Sequence, residues 1–490
     1  MEATESFDDD ICYRALQTRD RRFDGRFFVG VSSTGIYCRP VCPARTPHRK
    51  NCTFHVCAAG AQEAGFRPCL RCRPETAPGT PAWQGPSALV ARALRLISNG
   101  ALDDGSLPEL ADRLGVGERH LRRLFHDHLG ASPQAVAQTR RLLFAKRLLR
   151  ETELPITQLA LASGFRSHRR FHAAVRDAFG CSPRELRRPR TASETDRGLE
   201  LRFAYRPPLD WEGLLAFLEL RAVAGVERVE GGVYWRTFDE GGVLGVVSVS
   251  HDSDRHELEV RVFASEPVSL IRLGERVRRL FDLEADPEAI GRELGRDRTL
   301  RPLLRARPGV RVPGAWDPFE IVVRAVLGQQ ITVRGACTLA GRIVARVGRR
   351  LPALPGVPDG LSHAFPGPEA LAGAPLDGLG LTGARERTLA TVADAVSSGG
   401  VVLDGSVKPA TTRAALEALP GIGPWTARYV VMRGLGEPDA FPDGDLGLRK
   451  SLGTVGKPVS SAELRKESEA WRPWRAYAAI LLWGREPAAR

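Results

Sequence analysis

The sequence predicts a multidomain α+β protein with four units in tandem. These are a small cysteine-rich α/β module, an all-α domain with a doubled helix-turn-helix, a small antiparallel α+β domain and an all-α C-terminal domain. Three observations carry this. A chain of 490 residues exceeds one ordinary core and fits three or four domains. The periodicity changes along the chain: helical from Ser87, strand-like after Leu199, and helical again from Asp317. Two stretches, Pro74 to Pro86 and Arg187 to Arg197, have linker composition. The expected domains are therefore 1–80, 87–187, 198–285 and 286–490.

Composition narrows the partners. With 43% hydrophobic and 26% charged residues the chain reads as globular and soluble. Lys and Arg number 71 against 58 Asp and Glu, a net charge of +13 that favours nucleic acid or another anionic surface. The start of the chain is acidic and polar, unlike a secretion signal, and no apolar run approaches the roughly 18–20 residues of a membrane span. A cytoplasmic protein is expected.

Seven of the nine cysteines precede residue 73. Cys38-x3-Cys42 and Cys69-x2-Cys72 form two short pairs, each able to turn two thiolates toward one metal. Four thiolates suit tetrahedral Zn, so one Zn²⁺ on Cys38, Cys42, Cys69 and Cys72 is expected rather than disulfides. Cys12, Cys52 and Cys57 read as small buried hydrophobes. Arg39, Arg45, Arg67, Arg71 and Arg73 surround the pairs, as a solvated surface or as phosphate ligands that also stabilise thiolate. Thr34-Gly-Ile-Tyr-Cys-Arg-Pro40 and Gly65-Phe-Arg-Pro-Cys-x-Arg-Cys72 resemble the N-terminal domain of Ada. The resemblance implies that Cys38 accepts a methyl group from a DNA methylphosphotriester while Cys42, Cys69 and Cys72 complete the ligand set, and that Arg39, Arg45, Arg67 and Arg71 contact DNA. The Pro-Cys-His-Arg motif of Ada's second acceptor is absent, so repair of O-alkylguanine is not expected.

From Ser87 a repeat with an offset of 50 emerges. Gly130-x-Ser-Pro133 recurs as Gly180-x-Ser-Pro183, Leu121 as Phe171 and Ala111 as Leu161. Each copy reads as a short apolar helix, a Gly turn and a basic helix: 107–114 then 118–129, and 156–162 then 167–179. Arg119, His120, Arg122 and Arg123, then His168, Arg169 and Arg170, are the expected DNA contacts. The pattern resembles the AraC-type DNA-binding domain, which implies two recognition helices in successive major grooves and an activator that meets RNA polymerase.

Val243–Val249 and Leu258-x-Val-x-Val262 read as strands; 214–221 and 267–280 read as helices. Beyond Asp317, a helix is expected over 318–330, and 352–375 reads as a long Pro/Gly-rich loop.

The richest stretch is 416–449, LEALPGIGPWTARYVVMRGLGEPDAFPDGDLGLR. Its first helix ends near Leu419. Pro420-Gly-Ile-Gly-Pro424 then turns the chain, and Pro424 opens a second helix where its missing N–H costs little. Free N–H groups at that helix start, around Gly421 and Gly423, suit a DNA phosphate. Trp425 and Tyr429 share a face one turn apart. Asp445 follows a Pro-Asp-Gly turn, and either it or Asp443 could simply cap a helix. The string resembles the helix-hairpin-helix DNA glycosylases, most closely the AlkA branch. That resemblance puts the catalytic carboxylate on Asp445, a DNA wedge on Gln330 and pocket aromatics at Trp425, Tyr429 and Trp483; Trp471 and Trp474 read as core. It implies flipping of an alkylated purine and excision assisted by Asp445. Trp425 stands where strand-cutting relatives carry Lys, so a monofunctional glycosylase is expected. Cys181 and Cys337 stand alone, which argues against an iron–sulfur cluster.

Together the readings describe an Ada–AlkA fusion acting on alkylated duplex DNA and promoter DNA, as a monomer on the bacterial nucleoid. Two others compete: a regulator with a vestigial glycosylase half, and a glycosylase whose zinc module only holds a fold.

Overall fold

A computed structural model describes residues 8–78, 87–187, 198–454 and 457–484. It divides into two compact units, residues 1–204 with 266–275, and 205–265 with 276–490.

In the first unit, α1 (Asp9–Thr18) packs beside a small sheet of β1 (Phe28–Val31), β2 (Ile36–Cys38), β3 (Cys52–His55) and β4 (Arg67–Pro68), with α2 (Ala58–Glu63) between β3 and β4. The sheet order is β3-β1-β2-β4. β2 and β4 run parallel, with Ile36 opposite Arg67 and Tyr37 opposite Pro68. That register delivers Cys38 and Cys69 to the same end of the sheet. Pro74–Thr76 is a short 3-10 helix. The expected linker thus begins too early: Glu75 is buried, and the rest of the Pro/Gly stretch, 79–86, lies outside the described residues.

The helical part follows with α3 (Ala88–Ser98), α4 (Ala101–Asp104), α5 (Leu107–Arg113), α6 (Glu118–Leu129), α7 (Pro133–Glu151), α8 (Ile156–Ala162), α9 (His168–Phe179) and α10 (Pro183–Leu186). Local chemistry sets these bounds. Ser106, Ser132, Ser167 and Ser182 accept N-cap hydrogen bonds, and Gly130 and Gly180 close α6 and α9 in the left-handed region at φ 64 and 71°. Leu121 and Phe171 are equivalent and fully buried. The repeat departs from the expected offset in its first helices. Leu110 and Ala111 match buried Leu159 and Ala160, an offset of 49, while Leu161, expected to match Ala111, is 49% exposed. The second turn is one residue longer. Residues 188–197 lie outside the described residues, so the second linker is not placed; strand β5 (Leu199–Ala204) follows it.

The second unit opens with α11 (Trp211–Glu219) and an antiparallel meander of β6 (Glu227–Glu230), β7 (Val233–Glu240), β8 (Val243–Asp252) and β9 (Glu257–Ala264). Gly231-Gly232 and Gly241-Gly242 make the two-residue turns with φ between 58 and 90°, a conformation that side chains resist. Helix α12 (Leu270–Leu280) has its first half among residues of the first unit and its second half in the second. The second unit then continues with α13 (Pro287–Leu294), α14 (Leu300–Ala306), α15 (Pro318–Leu327), α16 (Val333–Val347), α17 (Pro368–Leu371), α18 (Gly383–Ser397), α19 (Pro409–Glu417), α20 (Pro424–Arg433), α21 (Leu446–Leu452), α22 (Ser461–Ser468) and α23 (Arg475–Trp483). Helix α15 stops at Leu327, three residues short of the expected end, because Gly328 caps it and Gln330 takes φ 59°. Trp471 and Trp474 are core residues, as expected.

Asp282 lies beneath this helical layer and accepts hydrogen bonds from the Tyr477 hydroxyl (2.8 Å) and the Val312 N–H (3.2 Å). Burial pushes its carboxyl up to about 6 from the ordinary 3.8, against the pull of Arg311. A raised carboxyl stabilises the fold below pH 3.8 and loses that contribution as pH rises through about 6, worth on the order of 3 kcal/mol. Asp282→Asn removes this component. The melting temperature of the variant, relative to wild type, rises by a few degrees between pH 4 and pH 7; thermal melts across that range check it.

Candidate functional site

The second unit builds its site around one carboxylate. Asp445 is the N-cap of α21, its Oδ1 accepting from the Leu448 N–H at 3.0 Å. The Trp483 indole N–H donates to the same oxygen and the Trp425 indole N–H to Oδ2, both at 2.9 Å. Three segments, α20, α21 and α23, therefore converge on it, and the carboxylate stays half-exposed. Trp425 and Tyr429 stack at 5.4 Å with an interplanar angle of 17°, and Trp483 lies 6.2 Å from Tyr429. The three rings thus gather their electron-rich faces beside the carboxylate.

Asp443, the rival carboxylate, is 5% exposed and ion-paired with both Arg428 and Arg465. It is consumed by structure. The capping expected of one of the two falls to Asp445, which caps a helix and still meets the Trp425 and Trp483 indoles.

Gly421 and Gly423 are exposed at the start of α20, with Pro424 in its first turn. Gly421 has φ 86°, and a Cβ there would meet Thr388 at 2.1 Å. At Gly423 a Cβ would meet nothing, so a ligand backbone can approach closely. Gln330 is exposed on the α15–α16 loop, next to Ile331 and Val333, which are 37% and 39% exposed. The loop is fastened to the hairpin through Gln329, whose Nε2 donates to the Gly421 carbonyl (2.9 Å) and the Thr426 hydroxyl (3.1 Å).

Sequence reasoning missed several of these partners. Arg433 Nη1 donates to the Tyr429 hydroxyl at 2.8 Å, and Arg221 and Arg433 both lie over the Phe217 ring. Burial opposes ionisation of Tyr429, but the two guanidiniums outweigh it and hold its pKa below the ordinary value. Gly447 leaves room over the carboxylate: a Cβ there would lie 3.0 Å from Asp445 and 3.3 Å from Trp483. Arg433 and Gly447 fall inside the 416–449 stretch, whereas nothing in the sequence marks Arg221 or Phe217.

In the first unit, the sulfurs of Cys38, Cys42, Cys69 and Cys72 all lie within 4.8 Å of one another, a close fit to a tetrahedral thiolate site. Backbone N–H groups point at the sulfurs: Arg39 at Cys72 (3.4 Å), and Arg71 and Cys72 at Cys69 (3.3 and 3.5 Å). Cys38 is partly exposed and the other three are buried. Cys12 and Cys52 are buried, as expected; burial and nearby Asp9 and Asp8 push Cys12 up to about 12. Cys57 caps α2 and donates to the Leu129 carbonyl at 3.3 Å.

Arg45, Arg67 and Arg71 are exposed, but Arg39 is not free for phosphate. Its guanidinium is ion-paired with Asp24 and donates to the Cys72 carbonyl and the Thr76 hydroxyl. It belongs to the scaffold of the cysteine site. Arg73 likewise pairs with Glu151. On α6, Arg119, His120, Arg122 and Arg123 are exposed, as are His168, Arg169 and Arg170 on α9.

Three family models match parts of this chain. The metal binding domain of Ada matches residues 11–75, a helix-turn-helix domain 110–189 and the AlkA N-terminal domain 200–317. A probable bifunctional transcriptional activator/DNA repair enzyme AlkA of Mycobacterium tuberculosis is 42% identical over 96% of this chain and 95% of its own length. The chain belongs to this family of Ada–AlkA fusion proteins. DNA-3-methyladenine glycosylase 2 of Escherichia coli is 37% identical over 57% of the fusion and 95% of the enzyme. A 3-methyladenine DNA glycosylase from Archaeoglobus fulgidus shares the fold, with a TM-score of 0.51 and 24% identity over 58% of this chain and 97% of its own. The Ada-type cofactor is zinc, and the four clustered cysteines are the residues that fit it.

The Ada–AlkA fusion purified without chelator therefore carries one zinc per chain. Cys42→Ser lowers metal content several-fold and unfolds the N-terminal module, because metal binding supplies its folding energy, while base release is retained. Metal analysis beside a base-release assay checks both halves of this.

Proposed function

We propose that this Ada–AlkA fusion joins two answers to DNA alkylation in one chain: excision of the alkylated base, and a methylphosphotriester sensor that activates transcription. The proposed domains are 1–80 for the sensor, 87–187 for the AraC-type reader, and 198–285 with 286–490 for the glycosylase. The observation that carries the glycosylase reading is the clamp of Asp445 between the Trp425 and Trp483 indoles beside stacked Tyr429.

Excision begins with the damaged nucleotide leaving the stack. The N–H groups around Gly421 and Gly423 hold a phosphate, and Gln330, with Ile331 beside it, fills the gap left in the duplex. The flipped purine slides against Trp425, Tyr429 and Trp483. Alkylation has made it electron-poor and a good leaving group, so no strong general acid is required. As the bond from sugar C1′ to the base nitrogen lengthens, positive charge grows on the sugar. The Asp445 carboxylate opposes that charge and orients water, which adds to C1′ and releases a proton to solvent while the base departs with the bonding electrons. There is no amine at the hairpin position, so no Schiff base forms and the strand stays intact.

In the sensor, Cys38, Cys42, Cys69 and Cys72 would hold a zinc ion, which would keep the four sulfurs as thiolates at neutral pH. The Cys38 sulfur, the partly exposed one, attacks the methyl carbon of a methylphosphotriester. The phosphate oxygen leaves with the electron pair as a phosphodiester anion, and Cys38 becomes a thioether. The centre loses one negative charge, so Arg45, Arg67 and Arg71 engage phosphates with less repulsion while α6 and α9 read promoter bases. The chain works as a monomer on bacterial chromosomal DNA, and activation proceeds through contact with RNA polymerase.

Asp445→Asn lowers base release from alkylated DNA by at least about 100-fold with DNA affinity nearly unchanged, in the range for loss of one electrostatic stabiliser. Asp443→Asn retains measurable excision but melts at a lower temperature, since it strips Arg428 and Arg465 of a buried partner. The reverse outcome would exchange the roles. Borohydride added to wild type on substrate DNA traps no covalent adduct.

For the sensor, mass spectrometry after exposure to methylated DNA finds one methyl group, on Cys38. Methylated protein binds its promoter more tightly than unmethylated protein, and the gain shrinks as salt rises. Equal affinity at low salt would remove the electrostatic switch.

A further inference from the structure

The cysteine centre is held by a helix outside its own module. Helix α7, which joins the two helix-turn-helices, carries Lys146 and Arg150 one turn apart. Lys146 is 0% exposed, and its Nζ donates to the Cys69 carbonyl at 3.1 Å and to Glu75 Oε2 at 2.7 Å. Arg150 Nη1 donates to the Leu70 carbonyl at 3.0 Å. Consecutive carbonyls of the Cys69-x2-Cys72 loop are thus gripped from one helix face. Glu75, three residues past Cys72, is 1% exposed.

The same face continues the contact. Thr139 donates to Gln62 (2.7 Å), and Gln62 donates to the hydroxyl of Tyr37 (3.2 Å), the residue before Cys38. Leu143 packs against Phe28, Tyr37, Ala58 and Ala61. Arg147 holds Glu151, which pairs with Arg73, the residue after Cys72. Positions 139, 143, 146, 147 and 150 lie on one side of a 3.6-residue helix. A buried Lys–Glu pair is costly to assemble and costly to break singly, so this is a built contact rather than a passing one.

We infer that Lys146 is a positioning residue for the methyl-acceptor centre, supplied by the DNA-reading domain, with Arg150 in support. The inference rests on reading the four cysteines as a zinc-bound acceptor site. Lys146 and Arg150 fix the loop that carries two of the four ligands, and so set the geometry in which Cys38 reacts. The coupling is reciprocal: a change of shape or charge at the centre reaches α7, the helix that spaces the two recognition helices.

The test uses the full chain with cobalt(II) in place of zinc, whose visible bands report thiolate geometry. Two variants are compared with wild type: Lys146→Met/Glu75→Gln, which removes both members of the buried pair together, and the milder Arg150→Gln. Shifted cobalt bands, methyl transfer to Cys38 slowed at least about tenfold in the double variant, and base release unchanged support the inference. Amide exchange in 133–151 also rises when zinc is chelated from wild type. A lower melting temperature with unaltered cobalt bands and transfer rate would reduce Lys146 to an interface residue and overturn the inference. Failure of wild type to bind cobalt or to accept a methyl group would instead overturn the reading of the centre, and the inference with it.

Discussion

Everything in the glycosylase half depends on keeping one negative charge beside an aromatic wall. A carboxylate taken from water loses several kcal/mol of hydration even when only partly buried. Asp445 offsets this with three N–H donors, from Leu448, Trp425 and Trp483. Each hydrogen bond to a charged group contributes about 1.5–3 kcal/mol, so three are enough to hold it. Two of the donors are also members of the aromatic cluster. The Trp425 and Trp483 rings are thereby locked in orientation by the carboxylate beside them. Asp443, two residues earlier, solves the same problem with Arg428 and Arg465. Ion pairing cancels the field that makes a carboxylate useful against a growing positive charge, whereas N–H donors leave the net charge in place.

The cysteine centre meets the opposite demand. Four thiolates around a divalent cation carry excess negative charge, and the protein disperses it with backbone N–H groups and places Arg39 directly behind Cys72. Arg39 is itself neutralised by Asp24. The exposed cations, Arg45, Arg67 and Arg71, stand outside that shell. The division separates arginines that build the centre from those left on the surface, and it explains how so basic a motif packs at all.

What could be read from the sequence was what is local. The doubled helices fall within a residue of expectation because Ser caps and Gly130 and Gly180 act within one turn. The hairpin at 420–424, the stacking of Trp425 on Tyr429 and the four-cysteine cluster follow equally from short spacing. Non-local pairing was illegible. No spacing rule links Arg39 to Asp24, Lys146 to Glu75 or Asp443 to Arg465, and an arginine fated for an ion pair looks the same in sequence as one fated for phosphate. The slip of one residue between the first helices of the repeat is invisible in sequence because Ala111 and Leu161 are both apolar, and only burial separates them. The sequence overstates the helix before Gln330 because its strongest stop signal, a left-handed backbone at a non-glycine residue, has no reliable sequence signature.

That left-handed turn is itself explained by what surrounds it. Helix α15 is anchored at Glu320 and Arg324 to Glu227 and Arg236 of the meander, a buried network of two acids and two bases. Burial pushes Glu227 up, but Arg324 and Arg236 outweigh it and hold the carboxyl charged. At the other end Gln329 is tied to the hairpin by two hydrogen bonds, and its carbonyl accepts from Arg385. With both sides fixed, Gln330 cannot relax into the helix and must point outward, next to exposed Ile331. An apolar side chain held in water and a residue held at positive φ each cost free energy in the unbound protein. A loop clamped at both ends keeps that cost in place.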